Sequence, residues 1–85
     1  MNLEKTTFKI KLGKKISETR KLKSYTQNEL AICLGVSRGL ISKVELGINS
    51  PSFELLYKIC TMLKCDIFDL LPKNTEIKPN DFNCL

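Results

Sequence analysis

The sequence predicts an all-α fold, a compact bundle of five short helices. Three observations predict it. Apolar residues recur at helical spacing along five segments, hydroxyl or acidic residues stand just ahead of four of them, and glycine or proline closes several. Strand-type alternation is confined to Phe8-Lys9-Ile10-Lys11-Leu12, which runs straight into a helical pattern.

Leu12, Ile16 and Thr19 fall at helical spacing, with Leu22 three residues on, which predicts an amphipathic first helix over about residues 10–23. Thr26, followed three positions later by Glu29, forms a capping box for the second helix. That helix turns Leu30, Ala31 and Leu34 inward and stops at Gly35, a residue free to take the left-handed conformation of a sharp turn. Ser37 is the next N-cap, and the third helix buries Ile41 and Val44 before Gly47. Ser52 starts a fourth, with an apolar stripe of Phe53, Leu56, Ile59, Cys60 and Leu63. Asp66 caps a short fifth helix, Ile67 to Leu71, which Pro72 closes.

Eighty-five residues suit one domain, and 42% hydrophobic with 27% charged residues is the composition of a globular chain. No apolar run is long enough to span a bilayer, and the N-terminus has no secretory pattern, so a cytoplasmic location is expected. Cys33, Cys60, Cys65 and Cys84 have no C-x-x-C pair and no histidine beside them. They read as small hydrophobes and free thiols, and no metal or cofactor is expected. Without histidine, a nucleophile–base pair or a phosphate-cradling loop, the chain is not read as an enzyme.

The net charge of +5 is unevenly spread. Residues 1–23 carry eight basic side chains against two acidic ones, residues 24–71 carry four against five, and the tail is neutral. A basic N-terminal third favours polyanions. Nothing supplies the broad aromatic-rich face of a membrane-surface helix, so no membrane partner is expected.

Two short helices joined through Gly35-Val36-Ser37 match the geometry of a helix-turn-helix, in which the second helix offers its N-terminal side chains to a major groove. The outward face of that helix would carry Arg38, Gly39, Leu40, Ser42 and Lys43. Arg and Lys there can donate to guanine edges or phosphates.

At these residues the chain resembles the Cro and phage-repressor type of helix-turn-helix regulator, the xenobiotic-response-element family. The matching residues are Thr26-Gln27-Asn28-Glu29-Leu30-Ala31, Leu34-Gly35-Val36-Ser37-Arg38, Ile41-Ser42, Glu45, Gly47, Asn49 and Pro51-Ser52. Leu55-Leu56, Ile59, Leu63 and Asp69-Leu70-Leu71 follow them, and Leu12-Gly13, Ile16 and Arg20 precede them. The likeness covers about residues 11–72. It implies a lambda-repressor-like domain over 10–72, preceded by a basic extension over 1–9 and followed by a tail over 73–85, a candidate dimerisation segment.

The resemblance also implies a sequence-specific regulator, a repressor by default, that binds double-stranded DNA at a palindromic operator. Gln27 matches a glutamine that contacts phosphate and buttresses the recognition helix. Ser37, Arg38, Gly39, Ser42 and Lys43 match positions facing bases or nearby phosphates, and Asn49 matches a position reaching the backbone. Arg20 and Glu45 match a buried salt bridge, a structural role. A restriction–modification controller, an antitoxin, and a protein-interaction module without DNA binding are the alternative readings. Eighty-five residues leave no room for a ligand domain, so no small-molecule effector is expected. One recognition helix reads too few base pairs to single out an operator, so a homodimer is expected, with Phe68, Leu71, Pro72, Ile77 and Phe82 as its apolar candidates.

Four departures from the family pattern stand out. Gly39 removes a side chain from the recognition helix, at about 1 kcal/mol relative to Ala. Leu40 either touches a thymine methyl or is simply exposed. Leu46 and Ile48 are apolar where polar residues are usual, suggesting a partner surface or a packed N-terminus. Lys64 stands where a glycine commonly ends the fourth helix, which predicts a strained or differently shaped turn.

Overall fold

Side-chain caps set where the helices begin. Thr26 Oγ1 accepts from the Glu29 amide (3.0 Å) while Glu29 Oε1 accepts from the Thr26 amide (2.8 Å), closing the capping box at the start of the second helix. Ser37 Oγ accepts from the Leu40 amide and Ser52 Oγ from the Leu55 amide, each at 3.0 Å. The computed structural model describes residues 3–73. In chain order these form α1 (Leu3–Leu22), α2 (Gln27–Leu34), α3 (Arg38–Glu45), α4 (Phe53–Leu63) and α5 (Ile67–Leu70). No strand occurs among the described residues, and no helix among them is long and apolar enough to cross a membrane.

One core draws on all five helices. Ile16, Leu30, Ile41, Ile59, Leu63 and Leu70 are fully buried at its centre, with Val44 beside them. Burying a side chain of this size stabilises by roughly 1.5–3 kcal/mol, which is why short helices that would fray alone are held here. Cys60 belongs to the same cluster and Cys65 packs against it. Burial pushes the Cys60 thiol up to about 11, with the neighbouring Cys65 adding to the rise, so it packs as a neutral small hydrophobe.

The first helix departs from its expected bounds. It is helical from Leu3, within the segment read as an extension, because its stripe begins earlier than Leu12. Phe8 packs against the core, and Phe8, Leu12, Ile16 and Arg20 follow one another at intervals of four. Arg20 therefore fills the buried slot one turn after Ile16, and Leu22, expected in the stripe, is 82% exposed. Phe53 is likewise outside the core at 74% exposure. It lies six residues before Ile59, about a third of a turn off the stripe's centre, and Leu55 takes the buried position instead.

Gly13 sets how closely α1 crosses α3. A Cβ there would fall 2.6 Å from the Glu45 carbonyl oxygen and closer still to that of Val44, so any side chain would push the helices apart.

The turn after α4 is left-handed, as a glycine would make it, although Lys64 occupies it with φ +54°. The Cys65 amide donates to the Cys60 carbonyl (3.0 Å) and the Lys64 amide to that of Thr61 (3.3 Å), the paired bonds of a Schellman motif. A side chain in this conformation costs roughly 1–2 kcal/mol, part of which glycine would return as unfolded-state entropy. Lys64→Gly is expected to stabilise the fold by about 0.5–1 kcal/mol and raise the melting temperature by about 2–8 °C. Thermal unfolding followed by circular dichroism checks this. An unchanged or lower midpoint would mean that the Lys64 side chain offsets the strain.

Candidate nucleic-acid interface

The α2–turn–α3 unit holds together through local chemistry. Gly35 takes φ +70°, and the Val36 amide donates back to the Ala31 carbonyl at 3.0 Å, reversing the chain within three residues. Ala31, buried at the crossing, lets the two helices approach, while Ile41 and Val44 fix the inner side of α3 to the core. Leu40, expected on the outward face, is half-buried and packs against the core. It precedes Val44 by four residues and so shares that helix's inner flank.

What remains outward on α3 is Arg38, Gly39 and Lys43, all exposed, with Ser42 half-buried between them. Ser37 is exposed at the leading edge, its hydroxyl engaged in capping. Asn49 is exposed in the turn that follows, and the Ile48 and Asn49 amides both donate to the Lys43 carbonyl, at 2.9 and 3.3 Å. These two hydrogen bonds to one carbonyl hold the turn against the C-terminal end of α3. A Cβ built on Gly39 would meet only Ser37 Oγ, at 3.9 Å, so the fold itself does not demand a glycine there.

Behind this face lies a polar network. Arg20 Nε donates to Glu45 Oε2 (2.6 Å) and its NH2 group to Glu45 Oε1 (3.1 Å), a bidentate pair joining α1 to α3. The third guanidinium nitrogen donates to the Tyr25 carbonyl (2.6 Å), just ahead of α2. Both charged side chains are under a tenth exposed. Gln27 Nε2 donates to Glu45 Oε1 at 2.9 Å, tying the first turn of α2 to the last of α3.

The network has an electrostatic consequence. The carboxylate of α3 is matched by Arg20, so the outward face is left with the positive charges of Arg38 and Lys43. Glu29 and Glu54 belong to other first turns, where they favour the positive helix ends.

Of the residues singled out in the sequence, Ser37, Arg38, Gly39, Ser42, Lys43 and Asn49 thus lie on α3 or its flanking turns, and Gln27 stands beside them through Glu45. The steric demand at Gly13 escaped the sequence reading. A glycine inside a helical pattern, matched by the family resemblance at Leu12-Gly13, was the signal there.

The family model described as Helix-turn-helix matches residues 16–70. The chain is 35% identical over 65 residues to the HTH-type transcriptional regulator SlrR of Bacillus subtilis, covering 75% of this chain and 43% of that protein. It is 40% identical over 68 residues to the ImmF control region 10 kDa protein of Bacillus phage phi105, covering 80% of this chain and 73% of that one. Among solved structures it superposes on the restriction-modification controller protein C.AhdI of Aeromonas hydrophila with a TM-score of 0.74 and 27% identity, covering 78% of this chain and 96% of the other. The chain thus spans less than half the length of SlrR.

Removing one partner of the buried pair leaves the other charge unmatched, at a typical cost of about 3–5 kcal/mol. Glu45→Ala is expected to lower the melting temperature sharply and to release Gln27 as well. A calorimetric midpoint equal to that of the parent would show that the pair contributes nothing to the fold.

Proposed function

Because the chain belongs to the Cro/repressor-type helix-turn-helix family, we propose that it is a transcription regulator, a repressor by default, that reads double-stranded DNA with α3 in the major groove. The observation that carries this reading is the outward face of α3, where Arg38 and Lys43 stand exposed and the one carboxylate of the helix is matched from behind. Arg38, on the first turn, donates two hydrogen bonds to a guanine edge in this reading. Lys43 and Asn49 serve phosphates or a base edge one turn further on. Ser42 serves either, and Ser37 meets the backbone where the helix enters the groove. Gln27 Nε2 carries two protons: one goes to Glu45, and the second is the phosphate donor of this reading. No catalytic step is assigned, and the protein acts in the cytoplasm, where its DNA is.

A second reading, controller of a restriction–modification operon, is favoured by the near-complete coverage of the C.AhdI chain. It uses the same interface and differs only in the genes controlled.

The regulator works as a two-fold dimer on a palindromic operator, since each α3 offers few informative side chains. Phe68, 77% exposed, is apolar surface that the monomer core does not use. Pro72, also a candidate, is buried in the monomer, and Leu71 packs against its core, so Phe68 is the interface residue of choice. Ile77 and Phe82 lie outside the described residues.

Two outcomes are expected. Arg38→Ala relaxes preference at one base pair per half-site in a selection from random duplexes, a loss of about 1–3 kcal/mol of discrimination. Binding by the parent protein weakens with salt by a log–log slope of about −0.9 per neutralised phosphate. Unchanged preferences would make Arg38 a bystander, and a flat salt response would remove the DNA-binding reading. For assembly, sedimentation at micromolar concentration is expected to give twice the 9.7 kDa chain mass, and Phe68→Ser to weaken dimer and operator binding together. A protein of single-chain mass that binds its palindrome without cooperativity would refute the dimer.

A further inference from the structure

Leu46 is a large apolar residue at the end of the helix that carries Arg38 and Lys43; it is 65% exposed, and Ile48 in the turn beyond is exposed as well. The Leu46 amide donates to the Ser42 carbonyl (3.0 Å) and its backbone stays helical at φ −81° and ψ −6°, so the course of α3 continues through it. It therefore stands four residues after Ser42, three after Lys43 and seven after Gly39, on the side of the helix that those residues occupy. The rise from Gly39 to Leu46 is about 10.5 Å, which corresponds to roughly three base-pair steps of 3.4 Å.

The fold does not account for a leucine here. Leu46 is not part of the core or of the side chains packed against it, and in water it gains nothing over a polar residue. The major-groove edges of the four bases present one apolar group, the C5-methyl of thymine. Leu40, the other apolar candidate for that group on this helix, is turned to the core.

The geometry points to Leu46 as a specificity-determining residue that packs on a thymine methyl in each half-site, about three base pairs from the pair read at the first turn of α3. This inference rests on the DNA-reading role of that helix and adds to it an apolar selection that Arg38 and Lys43 cannot make.

Exchanging thymine for uracil removes the methyl and leaves base pairing intact, so it tests the contact directly. The probe is the tightest duplex recovered by selection from a random pool, together with copies carrying uracil at each thymine of one half-site in turn. For the parent protein, one such exchange is expected to weaken binding about fourfold, the value of one buried carbon. Leu46→Ala, at an exposed helix end that tolerates alanine, is expected to lose that sensitivity, and Leu46→Met to keep it. Circular dichroism melting confirms that both variants fold. A parent protein that binds the selected duplex yet ignores every uracil overturns the inference, as does a Leu46→Ala variant that keeps the parent's sensitivity. In the second case another side chain reads the methyl, and Leu46 belongs to a protein-facing patch with exposed Ile48. Failure of every duplex to bind would instead overturn the DNA-reading role itself.

Discussion

Arg20 is buried at the junction of α1, α2 and α3, and all three of its guanidinium nitrogens donate to partners there. Two go to Glu45 at the end of α3, and one goes to the Tyr25 carbonyl, where the chain enters α2. A planar guanidinium fixes direction as well as distance, so the end of α1, the start of α2 and the distant end of α3 are brought to one geometry. Gln27 then joins through the same carboxylate. Desolvating such a pair is costly, and a hydrophobic replacement of equal volume can match its stability. What an apolar replacement cannot supply is the directional restraint that the guanidinium places on α3. The close crossing at Gly13 works towards the same end, because it joins the same two helices as the Arg20–Glu45 pair.

Features set by residues adjacent in sequence were legible without coordinates. Thr26 with Glu29, Gly35 and Ser37 each act within one turn of chain, so the bounds of α2 and the start of α3 followed from residue type alone. Features set by angle were legible only in part. Periodicity tells which side of a helix a residue takes but not where neighbouring helices stop covering it. That is why Leu22 and Phe53 lie in solvent and Leu40 does not. The Arg20–Glu45 pair, twenty-five positions apart, was available through family resemblance and not through spacing. Lys64 shows a third case. The sequence located an unfavourable residue, and the backbone took the left-handed turn regardless, because two amide–carbonyl bonds and the docking of α5 outweigh the strain.

The candidate site divides in the same way. Arg38, Gly39, Ser42 and Lys43 could be placed on one face because helical phase is local, and the structure keeps them there. Gln27 could be placed at the start of α2, but its bond to Glu45 depends on how two helices cross. The tertiary fold thereby converts a helix-start residue into one that ties the start of α2 to the end of α3.

Gly39 carries a consequence of another kind. Its Cβ position is open, its backbone is ordinary helix, and its neighbours on α3 keep the helix in place from the opposite side. Fold and recognition are therefore separable at this residue. The outer surface of α3 can change composition without disturbing what lies beneath it, so under the proposed reading a lineage of such proteins can diverge in the DNA it recognises while its scaffold stays the same. On the proposed DNA-reading role of α3, a glycine at that point is a blank in the recognition code, and any side chain written into it alters the message without rewriting the page.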